Sequence, residues 1–295
     1  MDKKYNKKVS YSQYQMWEKC PQQYKLNYVT PVQLDLPTSN INLLFGNAMH
    51  ETIQNFLKVM YGTSKKEAMS IDLESYLKER MRVHFIDEKE KGGGNLPASK
   101  EEMNEYFDDG KEILKFFKSK IDKFYTKSGI ELVGIELKLD EEVKEGVSFI
   151  GYIDVILYDK VSGEYIIIDL KTSTTGWSDY KKNDSVTTSQ MLIYKKLYSE
   201  KFNVPMSKIK VEYQIMKRKL FDDSQYPIPR ISKFVPASGK PTVLKAWHDF
   251  YQFVDKIFDE NGNRRTDDTL YTPEVSKQCE WCPFMETKIC EAWKN

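Results

Sequence analysis

The residues best placed to do chemistry are Asp154, Asp169 and Lys171. Asp169 emerges from Tyr165, Ile166, Ile167 and Ile168, a run apolar enough for a buried central strand, where an unpaired carboxylate is costly. The period of a strand puts Asp169 and Lys171 on one face and turns Leu170 the other way into the core. Asp154 lies on the preceding strand, and the return between the two strands brings both carboxylates together at a sheet edge. Such a pair supplies the hard oxygen ligands of Mg²⁺ or Mn²⁺, which keep positions open for water and a phosphate oxygen. The adjacent ammonium would orient the attacking water or stabilise charge on the phosphate. An isolated Asp-x-Lys also arises as a surface ion pair.

Four cysteines form a second constellation: Cys20 near the start, and Cys279, Cys282 and Cys290 near the end. Cys-x-x-Cys spacing lets two thiolates face one metal, three ligands leave a tetrahedral centre one short, and Cys20 completes the set. Recruiting it ties one end of the chain to the other. The spacing leaves zinc and an iron–sulfur cluster equally open.

The elements that must position these groups follow from periodicity. Residues 10–28 read as a short helix and a second aromatic stretch, an N-terminal arm. Met49, Ile53, Phe56, Leu57 and Met60 form one stripe of an amphipathic helix opening at Gly46, with His50 beside it. A charged helical region runs to about Glu90, then a Gly92–Asn95 loop, and Ser99 with Glu102 marks a capping box. From Glu131 the period becomes two: Val133, Ile135, Leu137 and Leu139 share a face and Glu136 takes the other. Residues 149–158 and 165–170 read as a hairpin and 172–186 as a polar loop. A helix over 188–202, a strand over 208–217 and a helix over 242–258 complete the pattern. The expected division is an arm and first helix (1–60), a helical insertion (61–128), a core (129–235) and a C-terminal helix with the cysteine segment (236–295).

Composition excludes several classes. The 295 residues are 40% hydrophobic and 30% charged, ordinary for one elaborated globular fold. No apolar run suits a membrane span and the Lys-rich start leads into no signal-peptide core, so a cytoplasmic protein without membrane partners is expected. With 45 basic and 44 acidic residues the formal charge is +1, so any polyanion site is local. Only six of the basic residues are Arg, the usual bidentate reader of guanine edges. No P-loop pattern appears, so the chain holds no nucleotide motor.

In order, the sequence presents Gly46-x-x-x-His50, Glu136, Gly151-x-x-Asp154, Asp169-x-Lys171 and Gln190-x-x-x-Tyr194. This series resembles the RecB-type branch of the PD-(D/E)XK nuclease superfamily, over most of the chain outside the helical insertion. Tyr11, Ser12, Cys20, Pro21 and Tyr24 resemble the opening segment of its iron–sulfur members, such as AddB-type nucleases and the small exonuclease of CRISPR adaptation modules. Two departures stand out: Asp154 follows Ile153 instead of Pro, and the second acid is Asp169 instead of Glu.

The resemblance implies an α/β restriction-endonuclease-like core, a mixed sheet flanked by helices, with a helical insertion and a C-terminal iron–sulfur region. It implies that His50, Asp154, Asp169 and the Leu170 carbonyl hold Mg²⁺ or Mn²⁺, with Lys171 as catalytic lysine. Gln190 and Tyr194 would contact DNA or brace the site, and Glu136 would serve a second metal or the surrounding shell. Cys20, Cys279, Cys282 and Cys290 would hold a [4Fe–4S] cluster, structural zinc being the alternative. The expected activity is exonucleolytic hydrolysis of DNA, on single-stranded ends, in recombination, repair or CRISPR-type processing with protein partners of such machinery. The alternatives are a structure-specific endonuclease and a non-catalytic DNA-binding or assembly protein. Trp177 and Tyr180, in the polar loop after Lys171, are candidates for stacking on bases.

Overall fold

A computed structural model describes residues 7–32, 41–125, 128–221, 227–285, 287 and 289–290; most of the Lys-rich start lies outside them. Strand β1 (Lys7–Val9) passes into helix α1 (Tyr11–Lys19), where the Ser10 side chain caps the N-terminus by accepting from the Gln13 N–H. Helix α2 (Pro21–Tyr24) continues as a π-helical turn over Lys25–Val29. Helix α3 spans Ile41–Gly62, so Gly46 and His50 lie inside it instead of at its start. The charged stretch forms α4 (Lys65–Ser70), α5 (Leu73–Lys91), α6 (Lys100–Ser119) and α7 (Ile121–Phe124), with α6 opened by the Ser99–Glu102 capping box.

The sheet follows: β2 (Ile130–Lys144), β3 (Val147–Asp159) and β4 (Glu164–Ser173). Within the expected polar loop, a short helix α8 (Asp179–Asn183) forms on a Ser178 cap. Then come α9 (Ser185–Lys201), β5 (Ile209–Lys217), β6 (Ile231–Phe234) and α10 (Lys240–Ile257). The strand order is β1-β3-β4-β5-β6, with β2 on the other edge of β3. The sheet is mixed: β1–β3 and β4–β5 pair parallel, and β2–β3, β3–β4 and β5–β6 antiparallel.

That register creates a fork. β4 pairs β3 only from Asp159↔Glu164 to Val155↔Ile168, and β1 pairs β3 only at Val147–Phe149. Between those ladders the same edge of β3 is free, and its first free residue after the β4 ladder is Asp154. On the opposite edge, Ile135↔Val155 and Leu137↔Ile153 set Glu136 across from Asp154.

Apolar residues cover both faces of the sheet. One face packs Phe149, Ile153, Ile167 and Ile215 against α1, α9 and α10. The other packs Val155, Leu157, Ile168 and Leu170 against α3, α5 and α6. The alternation expected along β2 fails at its centre: Ile135 joins the second cluster, Leu137 and Leu139 the first, and Val133 is 44% exposed. A register shift between Leu132 and Gly134 and a left-handed backbone at Glu136 (φ 51°) explain the change of face.

Side chains from the N-terminal arm and the C-terminal segment pack together. Trp17, Tyr24, Tyr271 and Phe253 pack ring against ring, and the Arg264 guanidinium donates to Tyr24 Oη, the Tyr28 carbonyl and Gln13 Oε1. No helix among the described residues is long and apolar enough to cross a membrane.

Candidate active site

At the fork, Asp154 Oδ2 accepts a hydrogen bond from the Leu170 N–H at 2.7 Å. β4 thus stays attached after its ladder with β3 has ended, and Asp169 is held beside Asp154. Strand alternation places Leu170 in the apolar cluster below and leaves Asp169 and Lys171 together above, as expected. Lys171 Nζ donates to Asp169 Oδ1 at 2.9 Å. It also lies 2.8 Å from Oδ2 as an ion pair, but at a geometry that makes no hydrogen bond, so Oδ2 is a buried oxygen without a donor.

His50 arrives from α3. Its Nδ1 lies 3.5 Å from Asp154 Oδ2, and its ring also bonds the main-chain carbonyl of Leu170. The glycine one turn earlier eases the approach: a Cβ on Gly46 would stand 3.3 Å from Thr172 Oγ1, so a larger residue would make the Thr172 hydroxyl give way where α3 lies against β4. Gly151 has the same kind of role. A Cβ there would fall 2.7 Å from Phe149 and 2.9 Å from the Tyr194 ring. Tyr194 therefore lies flat over β3, edge-on to Phe149, and its hydroxyl accepts from Gln190 Nε2 at 3.3 Å.

Gln54, one turn beyond His50 on α3, is a part of the site that the sequence reading missed. Its Nε2 donates to Glu136 Oε1 at 2.5 Å and approaches the Asp154 carbonyl at 3.4 Å. The only sequence signal is its i+4 spacing from His50 beside an otherwise apolar stripe. The left-handed Glu136 and the clamp on its carboxylate aim this side chain at His50 and Asp154, whose charges it perturbs.

The electrostatics suit a cation. Burial pushes the Asp154 carboxyl up to about 7, against the pull of Lys171 and the Leu170 N–H. Burial likewise raises Asp169 to about 6, opposed chiefly by Lys171. Burial, then the Lys171 charge, holds His50 down at about 4, leaving a neutral imidazole. For Lys171 itself burial works against the charge, but Asp169 and Asp154 outweigh it and keep the ammonium above its ordinary value. Two carboxylates that burial disfavours, one unbonded oxygen, a neutral imidazole and a carbonyl make a donor set that fits a hard divalent ion.

The four cysteines also meet: Cys20, Cys279, Cys282 and Cys290 line one small cavity of about 30 Å³, beside Leu26 and Phe284. Cys20 Sγ and Cys279 Sγ each accept a main-chain N–H at 3.5 Å, from Glu274 and Ser276. Among the described residues, no three His, Cys, Asp or Glu side chains are drawn together as a group that could hold a metal ion, neither the cysteines nor His50, Asp154 and Asp169. Trp177 does not serve as a stacking platform: it is buried on Tyr213 at 4.8 Å and Phe234 at 6.0 Å, whereas Tyr180 is 88% exposed.

The profile of the PD-(D/E)XK nuclease superfamily matches residues 8–291, and the chain belongs to that superfamily. No curated protein matches the sequence. A crystal structure described as that of a candidate exonuclease from Eubacterium rectale aligns over 96% of this chain and 91% of its own, at 13% identity and a TM-score of 0.46.

Proposed function

We propose that the protein is a RecB-like, metal-dependent deoxyribonuclease that hydrolyses phosphodiester bonds from DNA ends. The observation that supports this most is the convergence of His50, Asp154, Asp169, the Leu170 carbonyl and Lys171 where β3 and β4 part. Binding alone requires no such donor set. Mg²⁺ or Mn²⁺, held by His50, Asp154, Asp169 and the Leu170 carbonyl, would polarise a phosphate oxygen and acidify a water for in-line attack. Lys171 keeps Asp169 oriented through its hydrogen bond and presents an ammonium to charge that develops on the phosphate. His50, kept neutral, offers a lone pair instead of a competing charge. Gln54 fixes Glu136 at the rim of the same centre, where it would serve a second cation.

The proposed iron–sulfur assignment, as in AddB-type enzymes, rests on four thiols lining one cavity with N–H donors on two of the sulfurs. Its role would be to order the segment around Cys279 against α1 and α2, and we place the chain's function in DNA recombination, repair or CRISPR-type processing with protein partners. The proposed division keeps residues 61–128 as a helical elaboration on the core.

The test of end-dependence is digestion of linear single-stranded DNA beside a covalently closed single-stranded circle, with Mg²⁺ or Mn²⁺. The linear substrate should fall progressively to short products while the circle is spared. Cutting of the circle at a comparable rate would make the enzyme an endonuclease, and digestion of neither would make it a binding protein.

A further inference from the structure

Beside Lys171 a polar cavity of about 260 Å³ opens between the N-terminal arm and the segment after β4. Ser12 and Gln15 of α1 line one wall, Lys181 of α8 and Trp177 the other, and Lys171 and Gln190 form its inner end. The arm is fixed there: Tyr11 Oη donates to the Val186 carbonyl at 2.8 Å, and Gln15 Nε2 donates to Tyr11 Oη at 3.1 Å.

Two ammonium groups reach this cavity: Lys171, paired with Asp169, at its inner end, and Lys181 on its wall. Among the described residues no carboxylate pairs with Lys181 or with Lys19, and Lys181 Nζ rests over the Trp177 ring, 4.9 Å from its centroid. Asp184, whose charge acts on Lys181, is already engaged: its carboxylate caps α9, accepting from the Val186 and Thr187 N–H groups. Burial, then the neighbouring charges of Lys171 and Lys19, lower the Lys181 pKa, with Asp184 opposing them. A cation without an ion-pair partner of its own, such as Lys181, is stabilised by an anionic ligand.

We propose that this cavity is a subsite for a non-scissile phosphate of the DNA strand, with Lys181 as its charged contact and Ser12 and Gln15 as neutral hydrogen-bonding partners. The inference rests on the nuclease reading and deepens it. The strand leaves the catalytic centre across α1 and α8, so the N-terminal arm forms part of the substrate channel as well as part of the fold. Tyr180, next to Lys181 and fully outside the core, stands where a base attached to that phosphate can stack.

The experiment measures binding of a short fluorescent oligothymidine to full-length protein in Ca²⁺, over a range of salt, for wild type, Lys181→Ala and Lys181→Arg. A second set of oligonucleotides carries one neutral methylphosphonate linkage, moved stepwise from the end. Lys181→Ala should weaken binding roughly 5- to 20-fold and reduce the salt slope by about 0.7, the value of one phosphate contact on a single strand. Lys181→Arg should restore the slope. One methylphosphonate position should weaken the wild type and leave Lys181→Ala unaffected. If the wild type binds and cleaves DNA but Lys181→Ala keeps its affinity and slope, or if its loss multiplies with every methylphosphonate loss, the subsite is wrong and the nuclease reading survives. If the wild type neither binds nor cleaves DNA, both fall. Lys181 is exposed, so its variants should keep the wild-type thermal midpoint.

Discussion

Asp154 on β3 is bonded through Oδ2 to the main-chain N–H of Leu170 on β4, just past the last paired residues Val155 and Ile168. One carboxylate thus closes the fork structurally, and in the proposed function it would also supply an oxygen to the metal. Asp154→Asn keeps an acceptor for Leu170 and removes the charge. A carboxyl raised from its ordinary value to about 7 holds its proton longer folded than unfolded. Metal-free stability therefore falls as pH rises from about 4 to about 7, and the cost is full above that range. In EDTA at pH 8 Asp154→Asn should be more stable than wild type, by about 1–3 kcal/mol, and the advantage should shrink towards pH 5. Thermal melts at the two pH values check this, and a less stable variant at pH 8 would refute it.

Lys171→Ala should lower the cleavage rate roughly 100- to 1,000-fold yet keep most divalent-metal affinity, because an ammonium is not a ligand. Calorimetric Mn²⁺ titration beside rate measurement separates the two effects. Loss of metal binding equal to that of Asp169→Ala would instead make Lys171 a structural support of the carboxylates.

Gly151→Ala should destabilise the protein by about 1–3 kcal/mol, the cost of overpacking, since its Cβ must displace Phe149 or the Tyr194 ring. Because Tyr194 covers the strand that carries Asp154, activity should fall further than stability alone accounts for at a temperature where the variant remains folded. Chemical denaturation and cleavage rates on one preparation provide the comparison.

The glycines mark how much of the site could be read from the sequence. Each motif residue is local to its own element: the spacing puts Gly46 with His50 and Gln190 with Tyr194 on one helix face each, and Gly151 and Asp154 on opposite faces of β3. The structure brings these faces to one fork. Along β2 the same reasoning failed, because alternation assumes an unbroken pleat and the left-handed Glu136 breaks it; a glutamate announces no such conformation. Gln54 went unseen because its partner is 82 positions away in the chain. Trp177 was misread for a related reason: its neighbours in sequence are polar, while the rings that bury it, Tyr213 and Phe234, come from β5 and β6.

That reassignment of Trp177 separates two aromatic substitutions. Trp177→Ala should cost about 3–5 kcal/mol of stability. Tyr180→Ala should leave the thermal midpoint unchanged and weaken single-stranded DNA binding by about 1–3 kcal/mol, the worth of one stacked base. Unchanged affinity in Tyr180→Ala would remove the stacking contact.

Anaerobically purified protein should be brown and carry about four irons per chain, and Cys20→Ser should lose the colour. The ends should nevertheless stay together in that variant, because Arg264 and the Trp17–Tyr24–Tyr271 rings join them independently. Stoichiometric zinc from iron-replete anaerobic preparations would identify the site as a zinc centre. Rapid proteolysis at both ends of Cys20→Ser would show that the cysteines, and not the rings, hold them.

In the proposed function, one centre at the β3–β4 fork hydrolyses DNA with a divalent cation. The direct measurement is the initial rate of acid-soluble nucleotide release from linear single-stranded DNA by wild type and Asp169→Asn, each with Mg²⁺ or Mn²⁺ and each in EDTA. Wild type with metal should release nucleotides steadily, EDTA should stop it, and Asp169→Asn should be slower by roughly 100-fold or more while keeping its fold. Release that persists in EDTA, or an undiminished rate in Asp169→Asn, would contradict it.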